Sequence, residues 1–333
     1  METDEILHLP ISKIFETYPV ALDFFKSFGL EYKDNEQSFL QTIEPLTDDY
    51  WELYGTNKEE LISTFTDFII GISNFTAVQK VETLEVIAGV DKSGKHEECS
   101  LFLRPGEITC IVGPTGSGKS RLLSDIEWLA NTDTPTKRKV LINGKLPDDD
   151  FKNSVGGKLV AQITQNMNFV LDLNVYDFLI LHAQSRFLDN PEHKVTEVIA
   201  LANELCGEKF SPDTPLTFLS GGQSRALMIA DVACIGQAPI VLIDEIENAG
   251  VDKKKALELL VNKEKIVLMA THDPLLILLA DQRVIINNGG MSKLLFTSES
   301  ERKYYHKLEE LDSTIQAARQ FFRMGGELSC NDD

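Results

Sequence analysis

The 333-residue sequence predicts an α/β fold with a mixed sheet core, preceded by a small all-α domain, and three observations carry the prediction. Ile108-Thr-Cys-Ile-Val112, Pro239-Ile-Val-Leu-Ile243 and Ile266-Val-Leu-Met-Ala270 are continuous apolar runs of strand length. Alternating runs mark strands with one wet face, whereas continuous ones mark strands buried on both faces of a parallel sheet. Helical stretches lie between these runs, bounded by Gly, Asp and Asn turns. Residues 1–76 differ in texture, with apolar side chains at helical spacing.

In that first segment Ile11, Ile14, Phe15, Val20, Leu22, Phe24, Phe25 and Phe28 recur with a helical period, punctuated by Pro19 and Gly29. A second helix is expected from Glu59 to Ile72, with Leu61, Phe65, Phe68 and Ile69 on one face. The stretch Tyr18–Gly29 resembles the small helical domain that precedes some iron–sulfur-cluster repair proteins. Those domains place cysteines soon after the glycine. Here Leu30-Glu-Tyr-Lys-Asp34 follows, so no metal role comes with the resemblance, which implies a helical cap or docking domain. Further along, Val140-Leu-Ile-Asn-Gly144 and Arg283–Gly290 end in turn dipeptides that predict antiparallel hairpins. Residues 297–322, with Leu308, Leu311, Ile315, Ala318 and Phe321, predict a capped amphipathic helix ending before Gly325-Gly326. The expected boundaries are 1–76, 77–298 and 299–333.

Composition bounds the function. With 43% apolar and 25% charged residues the chain can bury a sizeable core. Its formal charge of −20 repels phosphate backbones and anionic headgroups, which argues against free nucleic acid as a partner. The charge is uneven: residues 1–76 carry 15 acidic and 4 basic side chains, which suits either a docking module or a solvated acidic surface. No run of 18 apolar residues occurs, and Met1-Glu-Thr-Asp-Glu5 lacks a basic n-region, so no direct membrane span and a cytoplasmic location are expected. The five scattered cysteines form no CxxC pair and fit reduced thiols, with Cys110 and Cys234 in apolar runs as small core residues.

The chemistry begins after the run Ile108–Val112. Gly113-Pro114-Thr115-Gly116-Ser117-Gly118-Lys119-Ser120, with Arg121 opening the next helix, has the Gly-x4-Gly-Lys-Ser spacing of a phosphate-binding loop. The glycines let the backbone curl so that successive N–H groups face phosphate oxygens, and the helix amino terminus adds its dipole. Lys119 supplies a point charge for the β- and γ-phosphates, and the Ser120 hydroxyl a ligand for Mg²⁺. Farther on, Ile240-Val-Leu-Ile-Asp244-Glu245 delivers paired carboxylates at a strand end. Asp244 is expected in the Mg²⁺ shell and Glu245 to polarise an attacking water.

Between these motifs stands Leu219-Ser220-Gly221-Gly222-Gln223, which resembles the signature sequence of the ATP-binding-cassette family. The resemblance covers residues 85–296 or so. It implies a phosphate-loop NTPase fold with a mixed sheet core, an antiparallel β subdomain and a helical signature subdomain. It also implies ATP and Mg²⁺ as ligands and a homodimer in which Ser220 and Gly222 contact the nucleotide of the opposite subunit. Ile163-Thr-Gln165-Asn-Met is similar to the glutamine loop; Gln162 lies nearby, and spacing to Val175 favours Gln165 as the metal and water contact. Asn248-Ala-Gly-Val-Asp252 resembles the D-loop, and Thr271-His272-Asp273 places His272 where the family has its γ-phosphate-sensing histidine.

Four departures qualify the resemblance. Val86–Gly94 lacks the aromatic that stacks on adenine in many transport cassettes, which leaves ATP against GTP open. The acidic pair is followed by Ile246-Glu-Asn-Ala-Gly250 without Pro-Thr-Ser, Asp231 stands where an arginine is common, and an acidic helical segment precedes the cassette. These features imply an ATPase switch that remodels or activates a protein partner, engaged through residues 1–76. The alternative is the ATP-binding subunit of a transporter with separate membrane chains.

Overall fold

The computed structural model describes residues 6–32, 34–76, 80–147, 159–164, 169–186, 188–244 and 250–327. Residues 1–78 and 79–333 form two units, and the terminal helix belongs to the second.

In the first unit, α1 (Ile11–Thr17), α2 (Ala21–Ser27), α3 (Phe39–Ile43), α4 (Asp48–Tyr54) and α5 (Lys58–Thr76) close around an aromatic core. Phe39 stacks on Phe65 at 3.9 Å, and Phe24 and Phe25 meet both edge-on. Leu61, Phe65 and Ile69 are buried along one face of α5, as the spacing predicts. Leu22 is not, because the buried stripe of α2 runs through Ala21, Phe24 and Phe25 and turns Leu22 to solvent. Gly29 ends α2 in a left-handed conformation (φ 56°), and the Tyr54 hydroxyl occupies the space a Cβ would need.

The second unit is built on a six-stranded sheet of order β5-β6-β7-β3-β8-β9. β3 (Ile108–Val112), β5 (Val160–Ile163), β6 (Ile240–Asp244), β7 (Ile266–Ala270) and β8 (Gln282–Asn287) are parallel, and β9 (Gly290–Phe296) returns antiparallel from β8. Every residue of β7 and the first four of β3 and β6 are buried, which accounts for the unbroken apolar runs. Cys110 sits in this core, while Cys234 is half-buried and burial pushes its thiol above the usual range. A second sheet, β2 (Leu101–Leu103), β1 (Leu84–Ile87) and β4 (Lys139–Ile142), is antiparallel. α7 (Val175–Ser185), α8 (Pro191–Leu205) and α9 (Gly221–Cys234) share a separate helical core. The mixed sheet, antiparallel β subdomain and helical subdomain agree with the expected class.

The turn predicted at Asn143-Gly144 forms, with Ile142 and Lys145 bonded to each other across it, but the hairpin ends at that bridge and β4 pairs with β1, more than fifty residues away. Asn143 Oδ1 accepts from the amides of Glu82 and Thr83, and its Nδ2 donates to the Lys80 carbonyl. The same dipeptide therefore turns the chain and clamps the entry to β1. The Asn288-Gly289 turn does join a hairpin, β8–β9.

Three parts of this unit meet at Arg138, whose side chain is wholly buried. Its guanidinium donates to Glu97 at 2.6 Å, to Asp125 of α6 (Lys119–Glu127) at 2.8 Å and to the Gly289 carbonyl at 2.9 Å. The carboxylates are completed by donors from Gly89 N, Met291 N and the Thr136 hydroxyl. Arg138→Met would strand two buried carboxylates, which costs about 3–5 kcal/mol. Thermal unfolding should show a loss of roughly 10 °C for a unit of this size.

Lys265 gives a pH dependence. Its ammonium donates to the carbonyls of Gly236 and Ala238, and burial lowers its pKa to about 8. The unfolded chain holds this proton to higher pH than the folded one, so stability rises as pH climbs from about 8 towards the ordinary lysine value of 10.5. Denaturant titrations across that window should show the rise in the parent protein and its loss in Lys265→Met.

Candidate functional site

The site forms where parallel strands end. β3 lies between β7 and β8 in the sheet, and β6 flanks β7, so the segments leaving β3, β6 and β7 emerge side by side. β3 runs into the loop Gly113–Gly118, and α6 starts at Lys119. Gly118 has φ 109°, and a Cβ there would lie 2.9 Å from Gly289 Cα; Gly116 has φ 76°. Only glycine combines those angles with that approach. The Gly289 amide donates to the Ser117 carbonyl at 2.7 Å, which seats the loop on the β8–β9 turn.

Among the described residues, the amides of Gly116, Gly118, Lys119 and Ser120 have no protein acceptor. The Ser117 hydroxyl is buried and lacks a partner as well. A concave set of free donors at a helix amino terminus suits a polyphosphate. Lys119 is nearly buried; its ammonium lies 2.9 Å from the Gly113 carbonyl, 3.3 Å from that of Pro114 and 3.1 Å from His272 Nε2. His272 follows β7 by two residues, which brings it to Lys119 although 153 positions separate them. Arg121 faces Asp125 at 3.3 Å, and Pro114 and Thr115 are exposed.

Ser120 Oγ lies 3.4 Å from Asp244 Oδ2. A hydroxyl and a carboxylate of this spacing are hard oxygen donors of the kind Mg²⁺ takes together with phosphate oxygens, so the residues fit that ion. No group of three or more His, Cys, Asp or Glu among the described residues could hold a metal by itself. Gln165 and Glu245 lie outside the described residues. Gln162 is in β5, and with its amide oriented to satisfy both ends it donates to the Glu127 carboxylate at 3.2 Å.

Ser220 caps α9 in a reciprocal box with Gln223, whose side chain also donates to the Glu208 carbonyl. Ser220 and Gly221 are exposed and Gly222 is half-buried. No described contact joins Ser220–Gln223 to the phosphate loop of the same chain. Gly250 lies against Gly222, and Asp252 caps α10 (Lys253–Asn262) by accepting from the Lys255 amide. Asp231, at the expected arginine position, is buried and 2.8 Å from His182 Nδ1, linking α9 to the helix that follows the glutamine loop.

Two contacts were not legible beforehand. Lys92 donates to the Gly116 carbonyl at 2.9 Å, and Asn288 holds Asp91 and Ser93. The segment without an aromatic is therefore fastened to the phosphate loop by a lysine. No spacing rule links residue 92 to 116.

Comparison with known proteins agrees with this arrangement. A family model described as ABC transporter matches residues 96–248. An uncharacterised ABC transporter ATP-binding protein of Methanocaldococcus jannaschii is 48% identical over 254 residues, 76% of this chain and 97% of that protein. The solved structure of cbiO1 from Clostridium perfringens, described as part of the ABC transporter complex cbiONQ, superposes with TM-score 0.51 at 23% identity, covering 71% of this chain and all of that one. A solved ATP-binding subunit of an ABC transporter gives TM-score 0.53 at 20% identity, covering 70% and 99%. At these identities the structures speak for the fold.

Gly118→Ala should lower nucleotide affinity about tenfold or more, because the added methyl meets Gly289 backbone and the φ is strained. Equilibrium binding of a fluorescent ATP analogue, alongside an unchanged circular dichroism spectrum, checks this.

Proposed function

This chain belongs to the ATP-binding-cassette family of ATPases, and from that premise we propose that it is a Mg²⁺-dependent switch in the cytoplasm whose two copies close head-to-tail on ATP. The single observation that carries the reading is the Lys119 ammonium held among the Gly113 and Pro114 carbonyls and His272, beside free loop amides. In the reaction, Lys119 exchanges its two carbonyls for the β- and γ-phosphate oxygens, and the loop amides hold the remainder. Ser120 and Asp244, with Gln165, would hold Mg²⁺, which would supply neutralisation of phosphate charge there. Glu245 orients and deprotonates the water that attacks the γ-phosphorus, and the bond to the β-phosphate bridging oxygen breaks to leave ADP and phosphate. His272 senses the γ-phosphate, and its contact with Lys119 gives the change a path. Ser220, Gly221, Gly222 and Gln223 of the opposite copy close the site, and Asp252 carries the state of one site to the other.

The output of the switch is a protein partner, engaged through the acidic first unit. That unit has its own core and carries much of the negative charge. A second reading has its own support. The matching family and neighbours are transporter ATP-binding proteins, and Val170 and Leu171, just beyond the glutamine loop, are exposed apolar side chains suited to a docking chain. No helix among the described residues is long and apolar enough to cross a membrane, so a transporter role would use separate membrane subunits.

Glu245→Gln with ATP and Mg²⁺ should run at about twice 37.2 kDa by light scattering, and a monomer there would sink the head-to-tail model. Lys119→Ala should weaken ATP binding about 10- to 100-fold, the worth of a charge-assisted contact. Affinity capture with the Glu245→Gln protein separates the two outputs. A soluble complex lost on deleting residues 1–78 supports the partner switch, and a polytopic membrane protein retained by that deletion supports the transporter.

A further inference from the structure

The terminal helix α12 (Glu299–Arg323) is 25 residues long and buries none of them. Its first half is fastened. Ser298 and Glu301 form a capping box, Arg283 pairs with Glu301, and Lys254 reaches both Glu309 and the Tyr305 ring. Beyond residue 312 every side chain of the helix is exposed. A free helix of this length is marginal in water unless an apolar face is covered.

That face has a definite period. Tyr304, Leu308, Leu311, Ile315, Ala318 and Phe322 are spaced alternately by four and three residues, the seam of a two-helix coiled coil. Leu311, Ile315 and Phe322 are 60%, 51% and 52% exposed. A groove of about 840 Å³ runs between the seam and the body of the unit, lined by Leu308, Leu311 and Ile315 on one side and Pro274 and Leu275 on the other. Gly250 and His272 also line it, so the groove continues into the elements that face the nucleotide.

Charge selects the occupant. Residues 299–312 carry five acidic side chains and three basic ones, whereas 313–323 carry only Arg319 and Arg323. A second copy laid antiparallel sets the basic half of each helix on the acidic half of the other, and a parallel copy sets like on like. Complementary ends also offset the repulsion between two chains of formal charge −20. We propose that α12 pairs antiparallel with α12 of a second copy of this chain, giving a dimer contact that needs no nucleotide. It is separate from the nucleotide sandwich proposed above.

Light scattering of the full chain, stripped of nucleotide and at micromolar concentration, tests the pairing. The parent protein should be dimeric, and Leu311→Glu with Ile315→Glu should raise the dissociation constant about 100-fold. Both positions are exposed in the single chain, so near-ultraviolet circular dichroism of the body should stay unchanged, with any loss of helix confined to α12. A monomeric parent protein, or a dimer that survives both substitutions, overturns the proposal, and the second outcome points to a different interface. Orientation has its own arm. Arg319→Glu with Arg323→Glu should weaken the dimer about tenfold, and adding Glu310→Lys with Asp312→Lys should restore it; no restoration overturns antiparallel pairing. Adding Glu245→Gln to the Leu311→Glu, Ile315→Glu protein isolates the sandwich. ATP should then recover a dimer, and failure there counts against the sandwich while the nucleotide-free result still decides the helix pairing.

Discussion

The Arg138 guanidinium, buried between Glu97 and Asp125, is the constraint on which the nucleotide-facing half of the molecule depends. One cation holds two carboxylates from different parts of the chain, and its third contact is the Gly289 carbonyl. Gly289 in turn seats the phosphate loop through the Ser117 carbonyl and the close approach to Gly118. The antiparallel sheet, the helix α6 and the β8–β9 turn are thereby fixed to one another, and the loop inherits its shape from them. A low-dielectric setting makes such a network strong when complete and costly when one member is missing.

The phosphate loop is held ready by contacts that ligand can exchange. Lys119 spends its hydrogen bonds on the loop carbonyls of Gly113 and Pro114, so binding phosphate replaces interactions rather than creating a buried charge. His272 touches the same ammonium, which places the end of β7 in direct contact with Lys119. Adjacent parallel strands explain this economy of distance, since their carboxyl ends open on the same edge of the sheet.

The signature and phosphate elements occupy different subdomains. Ser220 and Gly221 stand exposed at the start of α9, while the free amides lie at the start of α6. Two exposed helix amino termini that do not meet within one chain suit the shared site proposed above. The buried Asp231–His182 pair gives the signature helix a rigid tie to the segment after the glutamine loop.

The sequence by itself determined whatever depends on local order. The strands Ile108–Val112 and Ile266–Ala270, the loop Gly113–Ser120, the signature cap and the Ser298 cap rest on spacing among neighbours, and each adopts the local structure its residues favour. Leu22 escaped that logic because helical period leaves the phase of a short helix open, and Ala21 took the inward place. Tertiary structure alone decided the partners of residues distant in the chain. Asn143, besides its local turn, became a clamp on Lys80 and Thr83, Lys92 reached Gly116, and Arg138 gathered Glu97, Asp125 and Gly289. A charged or polar side chain carries no sequence mark of which remote group will satisfy it. Only when the fold removes water does that choice acquire its energy.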